Sequence, residues 1–168
     1  MSGGVRGVGV DTVDLGAFAA SLAEPGTRFA EAFSATERRQ CRDRTAARGA
    51  DTGGAARGAG TGGLGTGAAG ENPLARHLAG RWAVKEAVVK AWSAALYGSP
   101  PPIAPDLLRW TEIETVCDAW GRPAVRLSGE VARQVAATVG EEARWNVSLS
   151  HDGDAAVAFV VLEAPAAR

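Results

Sequence analysis

Residues 80–92, GRWAVKEAVVKAW, constrain the fold of this chain more than any other segment. The pattern predicts a helix that is apolar around most of its circumference, and such a helix is buried. Charges on a buried helix are costly unless they are paired or bound to a metal. Glu86 and Lys90 lie four residues apart and share a face. They are either a carboxylate that holds a divalent cation beside a lysine that holds a phosphate oxygen, or a plain ion pair on a half-exposed face.

Composition narrows the class of protein. The chain has 168 residues, a formal net charge of −1 and 46% apolar residues, which predicts one globular domain and no nucleic-acid partner. We expect no membrane partner, because no apolar run reaches about 18 residues and the first residues lack the core of a signal peptide. Cys41 and Cys117 have no metal-like spacing, so we expect a cytoplasmic protein.

The order of predicted elements indicates an α+β fold with antiparallel strands. The predicted strands cover residues 5–10, 112–117, 124–127, 145–150 and 155–162, and the predicted helices cover about 14–22, 27–33, 34–40, 72–97 and 129–139. The form of Ser34 to Glu37 predicts a capping box. Residues 46–70 are mostly Gly, Ala, Thr and Arg and predict a flexible insertion within the single domain spanning residues 1–168.

Polar residues at three places suggest a site. Asp11 ends the first predicted strand, Glu86 and Lys90 lie in the central helix, and His151 follows a strand. Two carboxylates distant in sequence can converge on a hard cation such as magnesium. Arg81, Lys85 and Lys90 offer cations for phosphates, as phosphoryl-type transfer requires. Taken singly, Asp11 also fits a turn or helix cap, and His151 fits a loop histidine without a function.

Three motifs in order extend this interpretation. They are GVGVD at residues 7–11, LAGRWAVKEAVVKAW at 78–92 and VSLSHDGDAAVAFVVLE at 147–163. Together they resemble holo-acyl-carrier-protein synthase, the small bacterial 4′-phosphopantetheinyl transferases. The resemblance implies a single small domain with a long buried central helix packed on antiparallel strands. It also implies transfer of 4′-phosphopantetheine from coenzyme A to a serine of a carrier protein, with a magnesium requirement and release of 3′,5′-ADP.

The same resemblance assigns roles to residues. Asp11 and Glu86 resemble the metal-binding carboxylates, and Lys90 resembles the lysine that holds the coenzyme A diphosphate. Arg81 and Lys85 match motif positions that either contact phosphate or brace the helix. His151 resembles the histidine near the adenosine end of coenzyme A. The sequence does not decide whether Glu86 or a water on the metal accepts the serine proton.

The resemblance leaves the partner open. Ala17 and Ala32 stand where the family tends to have basic residues for docking the carrier, and Arg38 and Arg39 are candidates to replace them. The carrier belongs to fatty-acid synthesis, to a polyketide pathway or to both. Family members are typically homotrimers with sites between neighbouring subunits. Two alternatives are a non-catalytic paralogue that binds coenzyme A or a carrier protein, and an unrelated magnesium-dependent nucleotide phosphohydrolase.

Overall fold

The structure, a computed structural model, describes residues 3–52 and 72–165. Its strands are β1 (Gly4–Asp14), β2 (Ile113–Cys117), β3 (Pro123–Leu127), β4 (Arg144–Asp152) and β5 (Ala155–Ala164). Its α-helices are α1 (Leu15–Ala23), α2 (Ala35–Thr52), α3 (Pro73–Ala95) and α4 (Gly129–Val139), and short 3₁₀ helices lie at Phe29–Ala32, Pro105–Leu107 and Trp110–Glu112. The predicted α+β class with antiparallel strands and a long helix is confirmed.

Helix α3 is the centre of the molecule. Asn72 caps it by accepting hydrogen bonds from the backbone nitrogens of Leu74 and Ala75, and Pro73 occupies the first turn, as the sequence predicts. Side chains from most of its circumference are buried, and they include Val84, Val88 and Trp92. The helix is therefore covered by protein on several sides, which agrees with its uninterrupted apolar pattern.

Two antiparallel sheets surround the helix. The larger has the strand order β1-β5-β4, and the smaller is the β2–β3 hairpin. In the larger sheet the inner face packs on α3 through small side chains, among them Ala156, Ala158 and Val160 of β5. Small residues let the helix approach the sheet closely, because little side-chain volume separates the two backbones.

The outer face of the larger sheet carries exposed apolar side chains. Val8 and Val10 of β1 are 45% and 52% exposed, and Phe159 of β5, which pairs with Val10, is 47% exposed. In the described residues, no element of this chain packs over that patch to bury it. An apolar patch shared by two neighbouring strands is typical of a surface that another protein covers.

Several predicted boundaries differ from the observed ones. Strand β1 continues past Asp11, because its pairing with β5 extends to Asp14 opposite Ala155. Strand β4 likewise includes His151. The helix predicted at residues 34–40 runs on as α2 to Thr52, so the first part of the predicted insertion is helical, and residues 53–71 lie outside the described residues. Among the described residues, none of the helices is both long and apolar enough to cross a bilayer.

Candidate active site

The GVGVD segment brings Asp11 to helix α3 through two glycines. Gly7, Gly9 and Asp11 alternate along β1 and therefore point to the same face of the strand. A methyl group on Gly9 would overlap the carbonyl oxygen of Ala87, and one on Gly7 would overlap that of Ala91. The strand backbone thus lies directly on the helix backbone. The next residue on this face is Asp11, which arrives beside the helix turn that carries Glu86.

Lys90 fixes the position of Asp11. Its Nζ donates to Asp11 Oδ1 at 2.8 Å and to the carbonyl oxygen of Val10 at 3.1 Å. The Lys90 side chain is 51% exposed and that of Asp11 is 15% exposed. The ammonium has three protons, and these two contacts use two of them. The third remains available for an oxygen of a bound anion at the open side of the cluster.

Glu86 completes a cluster of two carboxylates and one ammonium. Burial raises the pKa of Glu86, the nearby charge of Asp11 raises it further, and Lys90 acts in the opposite direction. The single ammonium therefore does not fully compensate the two carboxylates. A hard cation fits this donor set, because magnesium binds through one or two carboxylates and takes its other ligands from water and substrate phosphates. No group of three or more His, Cys, Asp or Glu side chains with metal-site geometry occurs within residues 3–52 and 72–165.

The side chain of Lys85 is buried and has different partners from that of Lys90. Its side chain is fully buried, and its Nζ contacts Glu37 Oε2 at 2.9 Å, the carbonyl oxygen of Trp110 at 2.8 Å and that of Ile113. Burial lowers the pKa of Lys85, and Glu37 opposes that shift. All three ammonium protons are used. The geometry favours the alternative in which Lys85 braces the helix. The other alternative, a contact with phosphate, stays a prediction, and none of the observed contacts of Lys85 supports it.

A second cluster lies around Arg81. This side chain is 2% exposed, and its guanidinium donates to the carbonyl oxygen of His77 at 3.3 Å and to Cys117 Sγ at 3.7 Å. Its Nε has no hydrogen-bond partner, and no carboxylate forms an ion pair with it in the described part of the chain. A buried cation without a counter-charge is costly, so this position is suited to an anion.

The cavity beside Arg81 has a volume of about 560 Å³. His151 lies on its wall, with Nε2 2.9 Å from the carbonyl oxygen of Arg76. Gly80 makes room for this ring, because a methyl group there would come within 2.9 Å of Nε2. The structure therefore brings two of the predicted site residues, Arg81 and His151, to one cavity.

The two clusters lie on opposite faces of α3. Arg81 and Lys90 are separated by about two and a half helical turns, which places them on opposite sides of the helix. The body of α3 therefore stands between the Asp11–Glu86–Lys90 cluster and the Arg81–His151 cavity. The described residues of one protomer thus form two separate clusters rather than a single continuous pocket.

A third feature adjoins Glu86. A cavity of about 340 Å³ extends from this residue along the last turns of α3 to the Pro-rich loop that follows them. Its wall is largely apolar and includes Val89, Trp92, Leu96 and Ile103. The cavity can accept a slender, weakly polar chain whose reacting end lies at the carboxylates.

Some residues of these sites did not emerge from the sequence. Glu37 was identified only as part of a capping box, which is confirmed by its contacts with Ser34, but its second oxygen accepts from the backbone of Thr115 and its carboxylate pairs with Lys85. Arg44 and Trp120 also line the Arg81 cavity. The signal for Trp120 was a large aromatic residue within the turn sequence DAWGRP.

Comparison with known proteins agrees with this geometry. The family model described as "4′-phosphopantetheinyl transferase superfamily" matches residues 7–160. A holo-[acyl-carrier-protein] synthase of Corynebacterium glutamicum is 44% identical over 155 residues, covering 92% of this chain and 96% of the relative. The protein of the same name from Mycobacterium tuberculosis is 40% identical over 162 residues, covering 96% and 99%.

Solved structures give the same result. One described as an ACPS–CoA complex of Chronobacterium ammoniagenes superposes with a TM-score of 0.75 at 40% identity and covers 94% of this chain and 96% of that chain. The acyl carrier protein synthase of Mycobacterium tuberculosis gives a TM-score of 0.64 at 34% identity and covers 96% and 100%.

Proposed function

This chain belongs to the 4′-phosphopantetheinyl transferase superfamily, and from that premise we propose that it transfers 4′-phosphopantetheine from coenzyme A to a serine of an acyl carrier protein. In the reaction a bond forms between the serine oxygen and the phosphorus that bears the pantetheine arm. The bond from that phosphorus to the leaving 3′,5′-ADP breaks, and the serine loses its proton. The observation that carries the proposal is the Asp11–Glu86–Lys90 cluster, which the two glycines of β1 hold against α3.

We assign the cation to Asp11 and Glu86 and the diphosphate to Lys90. Magnesium at these carboxylates would neutralise negative charge on the diphosphate. Lys90 would donate its third proton to a diphosphate oxygen while it keeps Asp11 in place. The raised pKa of Glu86 makes its carboxylate a stronger base than an ordinary glutamate. The apolar cavity beside Glu86 is the proposed place of the pantetheine arm.

We assign the nucleotide end of coenzyme A to the Arg81–His151 cavity. Arg81 lacks a carboxylate partner in the described residues, and an anionic phosphate would supply the missing counter-charge. Because this cavity and the carboxylate cluster lie on opposite faces of α3, we propose that one coenzyme A molecule uses the cluster of one protomer and the cavity of a neighbour.

A homotrimer would supply that neighbour. A ring of three identical subunits repeats one contact between two different surfaces, so it can join the two half-sites three times. The exposed patch of Val8, Val10 and Phe159 lies on the same strand as Asp11 or on the strand next to it. We propose that a second copy of the chain covers this patch.

Release of 3′,5′-ADP tests the chemistry. Purified protein with coenzyme A, magnesium and an unmodified carrier protein is expected to release 3′,5′-ADP in an amount equal to the modified carrier. Asp11→Asn should lower turnover by on the order of 10²-fold or more. A protein that binds coenzyme A but releases no 3′,5′-ADP with any carrier would instead be a binding paralogue.

Mixed trimers test the shared site. Co-expressed Asp11→Asn and His151→Ala subunits leave one intact site in each mixed trimer if the two residues come from neighbouring subunits. At a coenzyme A concentration well below the wild-type Michaelis constant, random mixing should restore about a quarter of wild-type turnover, whereas Asp11→Asn alone is nearly inactive and His151→Ala alone keeps about a tenth. If the mixture shows no more turnover than the average of its two components, the site lies within one protomer.

A further inference from the structure

The turn between β2 and β3 holds a tryptophan in a fixed position. Asp118 Oδ1 accepts hydrogen bonds from the backbone nitrogens of Trp120 and Arg122, each at 2.9 Å. Gly121 has a φ of 88°, a left-handed conformation that glycine adopts without strain. The Arg122 side chain also pairs with Asp118 Oδ2 at 2.6 Å. These hydrogen bonds define the backbone of the turn, which presents Trp120 at an exposed position.

Trp120 combines high exposure with a place on a cavity wall. Its side chain is 80% exposed, and it lines the cavity that contains Arg81 and His151. The guanidinium of Arg122 lies 4.9 Å from the ring centroid. The guanidinium therefore covers one face of the indole, and a planar heterocycle can stack on the other face.

The same cavity supplies the charge that a nucleotide requires. Arg81 is buried without a counter-charge among the described residues, and Arg44 borders the turn at Gly121. A bare phosphate would use the cations and leave the tryptophan without a function. An apolar ligand would use the tryptophan and leave Arg81 uncompensated. A phosphorylated nucleoside uses both features.

We propose that Trp120 is the base-stacking residue of this protein and that its indole binds the adenine ring of coenzyme A. It would thereby determine specificity for a donor that carries a nucleotide. The identity of the ligand as coenzyme A rests on the proposed function. The serine of the carrier reacts at the diphosphate, which lies between the base and the pantetheine arm, so a residue at the base should not contact the carrier.

Binding of 3′,5′-ADP to the purified full chain tests the proposal. Trp120→Ala should weaken 3′,5′-ADP binding, measured by calorimetry, by about 5- to 160-fold, the range for loss of one stacked base. Trp120→Phe should stay within about threefold of wild type, since it keeps an aromatic ring. Tyr97→Ala is the matched control, because Tyr97 is 97% exposed but does not line this cavity, and it should not change binding.

Binding of inorganic pyrophosphate distinguishes the contribution of the base to affinity from that of the phosphates. Its affinity should be equal in wild type and Trp120→Ala, because it has no base. Unchanged affinity of Trp120→Ala for 3′,5′-ADP would overturn the proposal. So would a higher Michaelis constant for the carrier with an unchanged constant for coenzyme A, which would place Trp120 on a carrier-binding surface. If no carrier is modified but 3′,5′-ADP binding still depends on Trp120, the proposed function fails and the nucleotide site stands.

Discussion

The backbone of Gly9 lies directly against the backbone of Ala87, with no side chain between strand β1 and helix α3. A methyl group on Gly9 would overlap the Ala87 carbonyl oxygen and come within 2.7 Å of the Ala91 nitrogen. Both obstacles belong to helix backbone, which cannot rotate away as a side chain can. The close approach places Asp11 next to Glu86, so a glycine two residues before the carboxylate determines the geometry of the proposed metal site.

Gly9→Ala should therefore destabilise the fold and reduce activity together. Overpacking against a rigid backbone costs about 1–3 kcal/mol of unfolding free energy, measured by urea denaturation. Gly4→Ala on the same strand is the control, because nothing lies within 4 Å of a methyl group there, and it should change stability by less than about 0.5 kcal/mol. Equal stability of the two variants would show that strand and helix separate without cost.

Glu86→Gln should lose activity and gain stability. Because burial and then Asp11 raise the pKa of Glu86, its charged form disfavours the fold, and this cost is present once pH exceeds the raised pKa. In metal-free buffer at neutral pH the variant should melt about 1–4 °C higher, a modest gain because Glu86 is partly exposed and screened.

The gain in melting temperature of Glu86→Gln should disappear as pH falls below 4.5, the ordinary pKa of glutamate. Below that pH, Glu86 is protonated in both folded and unfolded chains. Scanning calorimetry across pH provides the measurement. Glu142→Gln, at an exposed position on the surface, is the control and should leave the melting temperature unchanged. A lower melting temperature for Glu86→Gln at neutral pH would contradict the described charge balance.

The buried pair of Lys85 and Glu37 predicts a coupled loss of stability. Lys85→Met leaves a buried carboxylate without its partner and Glu37→Gln leaves a buried ammonium, so each should cost about 3–5 kcal/mol. The double variant should cost clearly less than the sum of the two, because it leaves no unpaired charge. Additive losses in denaturant unfolding would show that the two side chains do not depend on each other.

Gly80→Ala should act on coenzyme A through His151. The added methyl group would displace the His151 ring, so the Michaelis constant for coenzyme A should rise by on the order of tenfold, the effect of losing one hydrogen bond to a charged group. The constant for the carrier should not change. Adding Gly80→Ala to His151→Ala should have no further effect, and a further rise would mean that Gly80 acts through another residue.

The central helix and its polar residues could be predicted from the sequence, because an apolar pattern broken by four charges has few structural interpretations. The different roles of Lys85 and Lys90 could not be predicted. Lys85 and Lys90 look equivalent in the sequence, but Lys85 points inward to Glu37, a partner on another helix, and Lys90 points to Asp11 on a strand. Which lysine becomes buried depends on how α2 and β1 pack against α3.

The helical period alone places Arg81 and Glu86 on different faces of the predicted helix. The elements that pack against each face, β1 beside Glu86 and the β2–β3 turn beside Arg81, required the structure. The predicted strands near Asp11 and His151 were too short, because pairing with β5 continues through both residues. A local sequence pattern does not show which strand a residue pairs with.

The mass of a carrier protein reports the proposed transfer of 4′-phosphopantetheine without any intermediate step. Unmodified acyl carrier proteins from fatty-acid and polyketide synthesis would each be incubated with the protein, coenzyme A and magnesium and then weighed by intact-mass spectrometry. We predict that at least one carrier gains the mass of a single 4′-phosphopantetheine on its serine, and that Asp11→Asn produces almost none. Carriers that all keep their original mass, in the presence of folded protein that binds coenzyme A, would contradict it.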